Sequence, residues 1–283
     1  MIELHPEAPK ELPQNFQWRF PELFFDPTFT VYRGSVAHGM YVPGSDPDSI
    51  DDVDLMSVVI PGRSYYTGFS QYGSSGTREI KEPPWDIVVY ELRKFLRLLG
   101  DGNPNVLFTL WLDKAFILKD SFVYRELRSR RNLFVAKSVY EPLVGYARGQ
   151  LKRMTHVNTA AAFNGRKRQE LFGRFGFDCK NAAHTIRLLR MGVEFFETGS
   201  MNVYRQDALE LLRIKRGEWT IQQVKTEAEC LFDAVKAAHD KADMPARVHP
   251  IPLNQLCCEL IEGYLFDVGP FSSGDARNRS NPT

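Results

Sequence analysis

Residues 33–61 read RGSVAHGMYVPGSDPDSIDDVDLMSVVIP, and the order of residues in this stretch decides the fold. A Gly-Ser pair, Gly34 and Ser35, opens it. A loop rich in Gly, Pro, Ser and Asp follows, and Asp52 and Asp54 lead straight into the apolar run Leu55 to Ile60. Val53, Leu55 and Val58 to Ile60 read as a strand entering a core. Residues i and i+2 of a strand project from one face, so Asp52 and Asp54 point the same way. Two carboxylates so close repel unless a cation lies between them. Hard oxygen donors in such a pair suit Mg²⁺, which takes one or two carboxylates together with phosphate oxygens. Upstream, Gly34 allows close backbone approach, and the Ser35 hydroxyl and neighbouring N–H groups can donate to a phosphate.

Working outward, Thr28 to Arg33 (TFTVYR) is β-branched, aromatic and alternating, and predicts a strand. Ser35 to Gly39 predicts a short helix whose first N–H groups face that phosphate. Pro61 to Pro84 reads as a long loop rich in Gly, Ser and Tyr, of a length often found in lids and binding loops. Trp85 to Glu91 (WDIVVYE) predicts a third strand. Asp86 heads it and shares a face with Val88 and Tyr90, with Glu91 on the opposite parity. Leu92 to Leu99 predicts an amphipathic helix stopped by Gly100 and Gly102, and Asn103-Pro104-Asn105 starts another through Trp111.

From Phe122 the pattern is helical: Val139 to Met154, Arg166 to Phe175, Gly176 to Phe196, Leu209 to Arg216, Thr220 to Lys241 and Pro252 to Phe266. Ser200 to Tyr204 reads as a short strand or turn. Asp178 and Thr220 have the chemistry of N-caps, and Gly199 that of a C-terminal stop. Before Pro27 an irregular arm carries Phe16, Trp18, Phe20, Phe24 and Phe25, expected to pack on the surface of the sheet. Residues 269–283 are polar and rich in Gly, Pro and Ser, and are expected to be disordered.

The composition is that of a folded globular protein: 43% hydrophobic and 12% aromatic over 283 residues. A net charge of +1 excludes a globally basic nucleic-acid binder, but the charge is unevenly placed. Acids crowd between Asp46 and Asp54. Basic residues gather from Arg148 to Arg190, an asymmetry that suits metal on one wall of a site and phosphate on the other. Cys179, Cys230, Cys257 and Cys258 show no CxxC spacing, and read as reduced, mostly buried thiols of a cytoplasmic protein. Neither a signal peptide nor a membrane span is expected.

On the predicted helix through residues 178–196, Lys180, His184 and Arg187 fall at i, i+4 and i+7 and share a face. No acid accompanies them. Such an uncompensated cationic stripe calls for an anion, and a triphosphate is a natural one.

Gly34-Ser35, a loop, then Asp52-Val53-Asp54 and an apolar strand together resemble the core motif of the DNA polymerase β-type nucleotidyltransferases. The resemblance widens with NPNVLFTLW (103–111), FDCKNAAHTIRLLRMGVEFFETG (177–199) and LLRIKRGEWT (211–220). In that order they are similar to the RlaP/YcgL-type predicted nucleotidyltransferases of the same superfamily, a group associated with RNA repair. The similarity spans roughly Tyr32 to Tyr264. It implies an α+β fold, with a small mixed sheet and helices at 1–120 followed by a mostly helical part at 121–268 that completes a nucleotide cleft. It implies Mg²⁺ or Mn²⁺ on Asp52 and Asp54 and a third carboxylate on a later strand, for which Asp86 is the choice and Glu91 the alternative, with a nucleoside triphosphate as substrate and an RNA end (such as that of a tRNA), a protein side chain or a small molecule as acceptor. Gly34, Ser35, Lys180, His184, Arg187 and Arg216 would hold the nucleotide, with Glu218 also placed on the helical side. The loop GSDPDSIDDVD is longer than the compact family form, which leaves Asp46 and Asp48 open as alternatives to Asp54. Only Asp52 and Asp54 continue into an apolar strand.

Overall fold

The structure is a computed structural model that describes residues 2–24, 27–47, 49, 51–155 and 166–265. Five strands are formed by β1 (Pro27–Tyr32), β2 (Val53–Val59), β3 (Thr77–Glu82), β4 (Trp85–Glu91) and β5 (Ile117–Lys119). They make one mixed sheet in the order β3-β4-β2-β1-β5. The helices in chain order are α1 (Phe16–Arg19), α2 (Gly34–Ala37), α3 (Arg63–Thr67), α4 (Leu92–Gly100), α5 (Pro104–Leu107) and α6 (Phe122–Ser129). They continue with α7 (Tyr140–Thr155), α8 (Arg166–Phe175), α9 (Cys179–Thr198), α10 (Ala208–Lys215), α11 (Ile221–Lys241) and α12 (Pro250–Leu265). The fold is α+β, as the sequence implies.

β2 is the central strand. It pairs antiparallel with β1 and parallel with β4. A strand covered on both faces reads as a nearly continuous apolar run, and every β2 residue but Asp54 is buried. Phe29 of β1 stacks on Tyr124 of α6 with ring centroids 4.3 Å apart and meets Phe95 of α4 edge-on, which seals one sheet face with helices. The second half is built round α9, which packs against α7, α10 and α11. Ile186, Leu189, Phe195 and Phe196 of α9 are fully buried or nearly so. Its ends carry the expected signals. The Asp178 side chain accepts from the backbone N–H of Asn181, and Gly199 closes the helix in the left-handed conformation at φ +70°. Thr220 and Gln223 form a reciprocal capping box at the start of α11.

Several expectations need correction. The stretch from Pro61 to Pro84 is not a single loop but contains α3 and β3. TREIKE buries only Ile80 because β3 is an edge strand, and edge strands carry charge where central ones carry apolar groups. Residues 200–204 form no strand, whereas the three-residue β5 was unforeseen. In the N-terminal arm Phe16 is buried and Phe20 and Phe24 pack against the core, but Trp18 is 82% exposed. Among the thiols Cys179 is buried, whereas Cys230 and Cys258 are exposed. Residues 269–283, Phe25, Asp48 and the side chains of Arg166, Lys167 and Arg168 lie outside the described residues. Among those described, no helix is long and apolar enough to cross a membrane.

Candidate active site

Parallel pairing of β2 with β4 sets Asp54 directly opposite Asp86, each the second residue of its strand. Register partners project from the same face, and neighbouring strands lie about 4.8 Å apart. The two acids therefore converge at one end of the sheet. Asp52 stands two residues upstream, exposed at the mouth. Glu91, the alternative third acid, is at the far end of β4. It is buried, caps α4 by accepting from the N–H groups of Arg93 and Lys94, and accepts a 2.8 Å hydrogen bond from the Tyr66 hydroxyl. Its parity and its partners remove it from the site.

The Gly-Ser pair lies against these acids. Chain leaving β1 turns into α2 at Gly34, whose φ is +58°. A Cβ there would overlap the Asp54 carboxylate, so only glycine lets the backbone lie this close. Ser35 follows with a buried hydroxyl that has no hydrogen-bond partner among the described residues. A buried hydroxyl without a partner is costly, and this one is in the lining of a cleft of about 670 Å³. That volume is within the range of small-molecule sites. Gly34, Asp52, Asp54 and Asp86 line the same cleft.

Arg33, not singled out from the sequence, crosses between the acids. Its Nη2 lies 3.2 Å from Asp86 Oδ1 and 3.6 Å from Asp54 Oδ1, and its Nε donates to the Leu55 carbonyl at 3.1 Å. Burial pushes the Asp54 pKa up, and Asp86 and Asp52 add to this, while Arg33 and Lys180 act the other way. The net rise describes a carboxylate with too little positive charge around it. Three hard oxygen donors with this deficit fit Mg²⁺ or Mn²⁺ in chemistry. Among the described residues no three acidic, His or Cys side chains are gathered tightly enough to hold an ion as they stand, and Arg33 supplies the nearest positive charge to Asp54 and Asp86.

The opposite wall comes from α9 and α10. Lys180, His184 and Arg187 do share one face of α9 and line the cleft. Arg187 is 7% exposed. Its Nη1 donates to His38 Nε2 at 2.5 Å and its Nη2 to His184 Nε2 at 3.3 Å. His38 Nδ1 lies 2.8 Å from the Val203 carbonyl, which fixes Nδ1 as the protonated nitrogen and leaves Nε2 to accept. Burial, then the Arg187 charge, holds both imidazoles well below the usual histidine pKa, so both are neutral. No carboxylate stands within ion-pair distance of Arg187 among the described residues.

Arg216 is not part of the cleft lining. It is largely exposed and pairs with Asp46 at 3.0 Å, which also occupies one of the alternative metal acids. Glu218 pairs with Arg213. Asp51 and Lys215 were missed by the sequence reading. The Asp51 side chain is wholly buried, ion-paired to Lys215 and, at 3.3 Å, to Lys180. The only sequence signal for this pair is that acids cluster at 46–54 and bases at 213–216, with nothing to show that the two clusters meet.

One family model matches most of the chain. The family described as "RlaP: RNA repair pathway DNA polymerase beta family" matches residues 26–256. No curated protein matches the chain. Among solved structures, a nucleotidyltransferase-like protein from Exiguobacterium sibiricum is similar at 10% identity, with 80% of this chain and 73% of that one covered and a TM-score of 0.27. The family match spans most of the chain and includes both strands that carry the acids and both helices that carry the cations, so the chain belongs to the RlaP family of polymerase β-type nucleotidyltransferases.

Proposed function

We infer that this protein transfers a nucleoside monophosphate from a nucleoside triphosphate to an acceptor hydroxyl, with an RNA end, such as that of a tRNA, as the acceptor class its family points to. The single observation that carries the reading is the convergence of Asp54 and Asp86 beside Gly34 and the unpartnered Ser35 hydroxyl. On this reading residues 1–120 form the transferase domain and 121–268 the helical domain that closes the cleft.

Asp52, Asp54 and Asp86 would hold Mg²⁺ or Mn²⁺, which when bound offsets charge on the triphosphate and on the departing pyrophosphate. The chain's own groups do the rest. The Ser35 hydroxyl donates to a phosphate oxygen. Lys180 and Arg187, with His184 accepting from Arg187, face the anion from the opposite wall. Asp86 receives the proton of the acceptor hydroxyl as its oxygen bonds to the α-phosphorus. The bond from the α-phosphorus to the bridging oxygen breaks, and pyrophosphate leaves with that electron pair. The protein thus acts by positioning and electrostatics.

The test is incubation with each labelled triphosphate and Mg²⁺ or Mn²⁺, in separate reactions with tRNA, with protein and with buffer. Label on the tRNA end is expected, and Asp52→Asn/Asp54→Asn should lower its rate at least about 10³-fold with the fold intact by circular dichroism. Unchanged turnover in that double variant would overturn the mechanism, and label on protein would change the acceptor. A second reading, a nucleotide- or RNA-binding module without turnover, is favoured by Arg33 lying across the two acids. Nucleotide binding without pyrophosphate release would select it.

A further inference from the structure

The acid-rich loop that precedes β2 is fastened to the end of α10. Lys215 and Arg216 are consecutive, and each takes one acid of that loop: Lys215 pairs with Asp51, Arg216 with Asp46. The Lys215 ammonium also donates to the Met40 carbonyl at 2.8 Å. Within the loop, the Val42 N–H donates to Asp51 Oδ2 at 2.9 Å, and the Ser49 hydroxyl donates to the Val42 carbonyl at 2.7 Å. Asp51 is the centre of this arrangement, and its side chain has no exposure to solvent. Its second oxygen, Oδ1, lies 3.3 Å from the Lys180 ammonium and has no hydrogen-bond partner among the described residues.

Two ammonium groups on one buried carboxylate are more than neutrality needs. One lysine would satisfy the charge. Lys215, whose side chain is 5% exposed, is the one buried with it. Lys180 is different: its side chain is 30% exposed, it lines the cleft, and its charge reaches Asp54. A half-exposed lysine ordinarily samples many rotamers, and ordering one costs conformational entropy. A carboxylate held by Lys215 and the Val42 N–H removes that cost before any ligand arrives.

We propose that Asp51, locked in place by Lys215 and the Val42 N–H, is a positioning residue that aims the Lys180 ammonium at the phosphates of the bound nucleotide. This rests on the nucleotidyltransferase reading and adds to it a residue that touches no substrate. It also gives the long loop 40–51 a purpose other than metal ligation, namely that it carries Asp51 from the metal side of the cleft to the cationic side.

Binding of inorganic triphosphate with Mg²⁺, measured by calorimetry, tests this without knowledge of the base. Asp51→Asn/Lys215→Met replaces the buried pair by neutral groups of similar size, so no buried charge is left without a partner. That variant is expected to bind triphosphate about tenfold more weakly than the wild type, and Lys180→Met to lose a similar factor. The triple variant should bind no worse than Lys180→Met within about twofold, because Asp51 acts only through Lys180. Wild-type binding by Asp51→Asn/Lys215→Met, or losses that multiply in the triple variant, would overturn the proposal. A wild-type protein that binds no triphosphate would instead overturn the functional reading and this inference with it. Where the buried substitutions prevent folding, ¹⁵N-lysine NMR of the wild type gives the same answer. A Lys180 ammonium, assigned by Lys180→Met, that is ordered and slow to exchange without ligand supports the proposal, and a freely rotating one refutes it.

Discussion

Arg187 and Arg190 are one turn apart on the same helix, and the protein treats them in opposite ways. Arg190 meets three carboxylates, Asp207 and Glu210 through Nη1 and Glu227 through Nη2, at 2.6–2.8 Å. It joins α9 to α10 and α11, and although burial opposes its charge, the three acids more than restore it. Arg187 is more deeply buried and meets two neutral imidazoles and the Met191 sulfur. Burial, with Arg205 nearby, lowers its pKa. A guanidinium surrounded by acids has spent its charge on the fold. On the proposed function, one that meets only acceptor nitrogens and a sulfur has kept it, at a cost in stability, for the triphosphate. On that reading the contrast separates structural from functional cations on a helix whose sequence makes them look alike.

The largest expected effect falls on the structural member. Arg190→Met leaves three acids facing one another without their cation. It should cost about 3 kcal/mol, or roughly 6–12 °C in melting temperature for a chain of this size, with nucleotide affinity kept in the fraction that remains folded. A melting temperature unchanged from wild type would break the comparison at once. Arg187→Met should do the reverse. Stability should hold or rise, since a buried charge without a counter-ion is removed, while triphosphate binding weakens about 10- to 100-fold. If Arg187→Met unfolds the protein and Arg190→Met abolishes binding, the roles have been assigned the wrong way round.

The smallest effect is in pH. His38 and His184 have folded pKa values well below 6.5, so below that pH the unfolded chain takes up protons that the folded chain refuses. Stability should therefore fall as pH drops from about 6.5, on the Arg187 side alone. On the Arg190 side Asp207 is desolvated, but Arg205 and Arg190 overcome this and lower its pKa. Its contribution is present above about pH 4 and lost as pH falls through its folded value. Urea midpoints followed from pH 8 to 3 should decline in two stages. His38→Gln/His184→Gln should flatten only the first and Asp207→Asn only the second, and a midpoint that does not change between pH 7 and 5 would remove the histidine half of the contrast.

Much of this site could be read in the chain before any coordinates. Short apolar and β-branched runs in VDLMSVV and WDIVVYE give both strands, and with them the positions of Asp54 and Asp86. Period-3.6 spacing gives the shared face of Lys180, His184 and Arg187. Neither pattern says what stands opposite. Arg190 has the same chemistry as Arg187 in the sequence, and its three acids come from residues 17, 20 and 37 positions away. Asp51 finds Lys215 across 164 positions. Edge strand β3 escaped because charged residues on an exposed edge look like a loop. Arg33 escaped because a residue flanking a motif carries no pattern of its own.

At Gly34 the turn that presents Ser35 meets the Asp54 carboxylate directly. The Gly34 α-carbon stands where a side chain would meet the Asp54 carboxylate, so nothing bulkier than a hydrogen atom separates the turn that presents Ser35 from the acid itself. On the proposed function, any tightening of that turn around an incoming phosphate would press on Asp54 directly, with no compressible packing between them to absorb the movement.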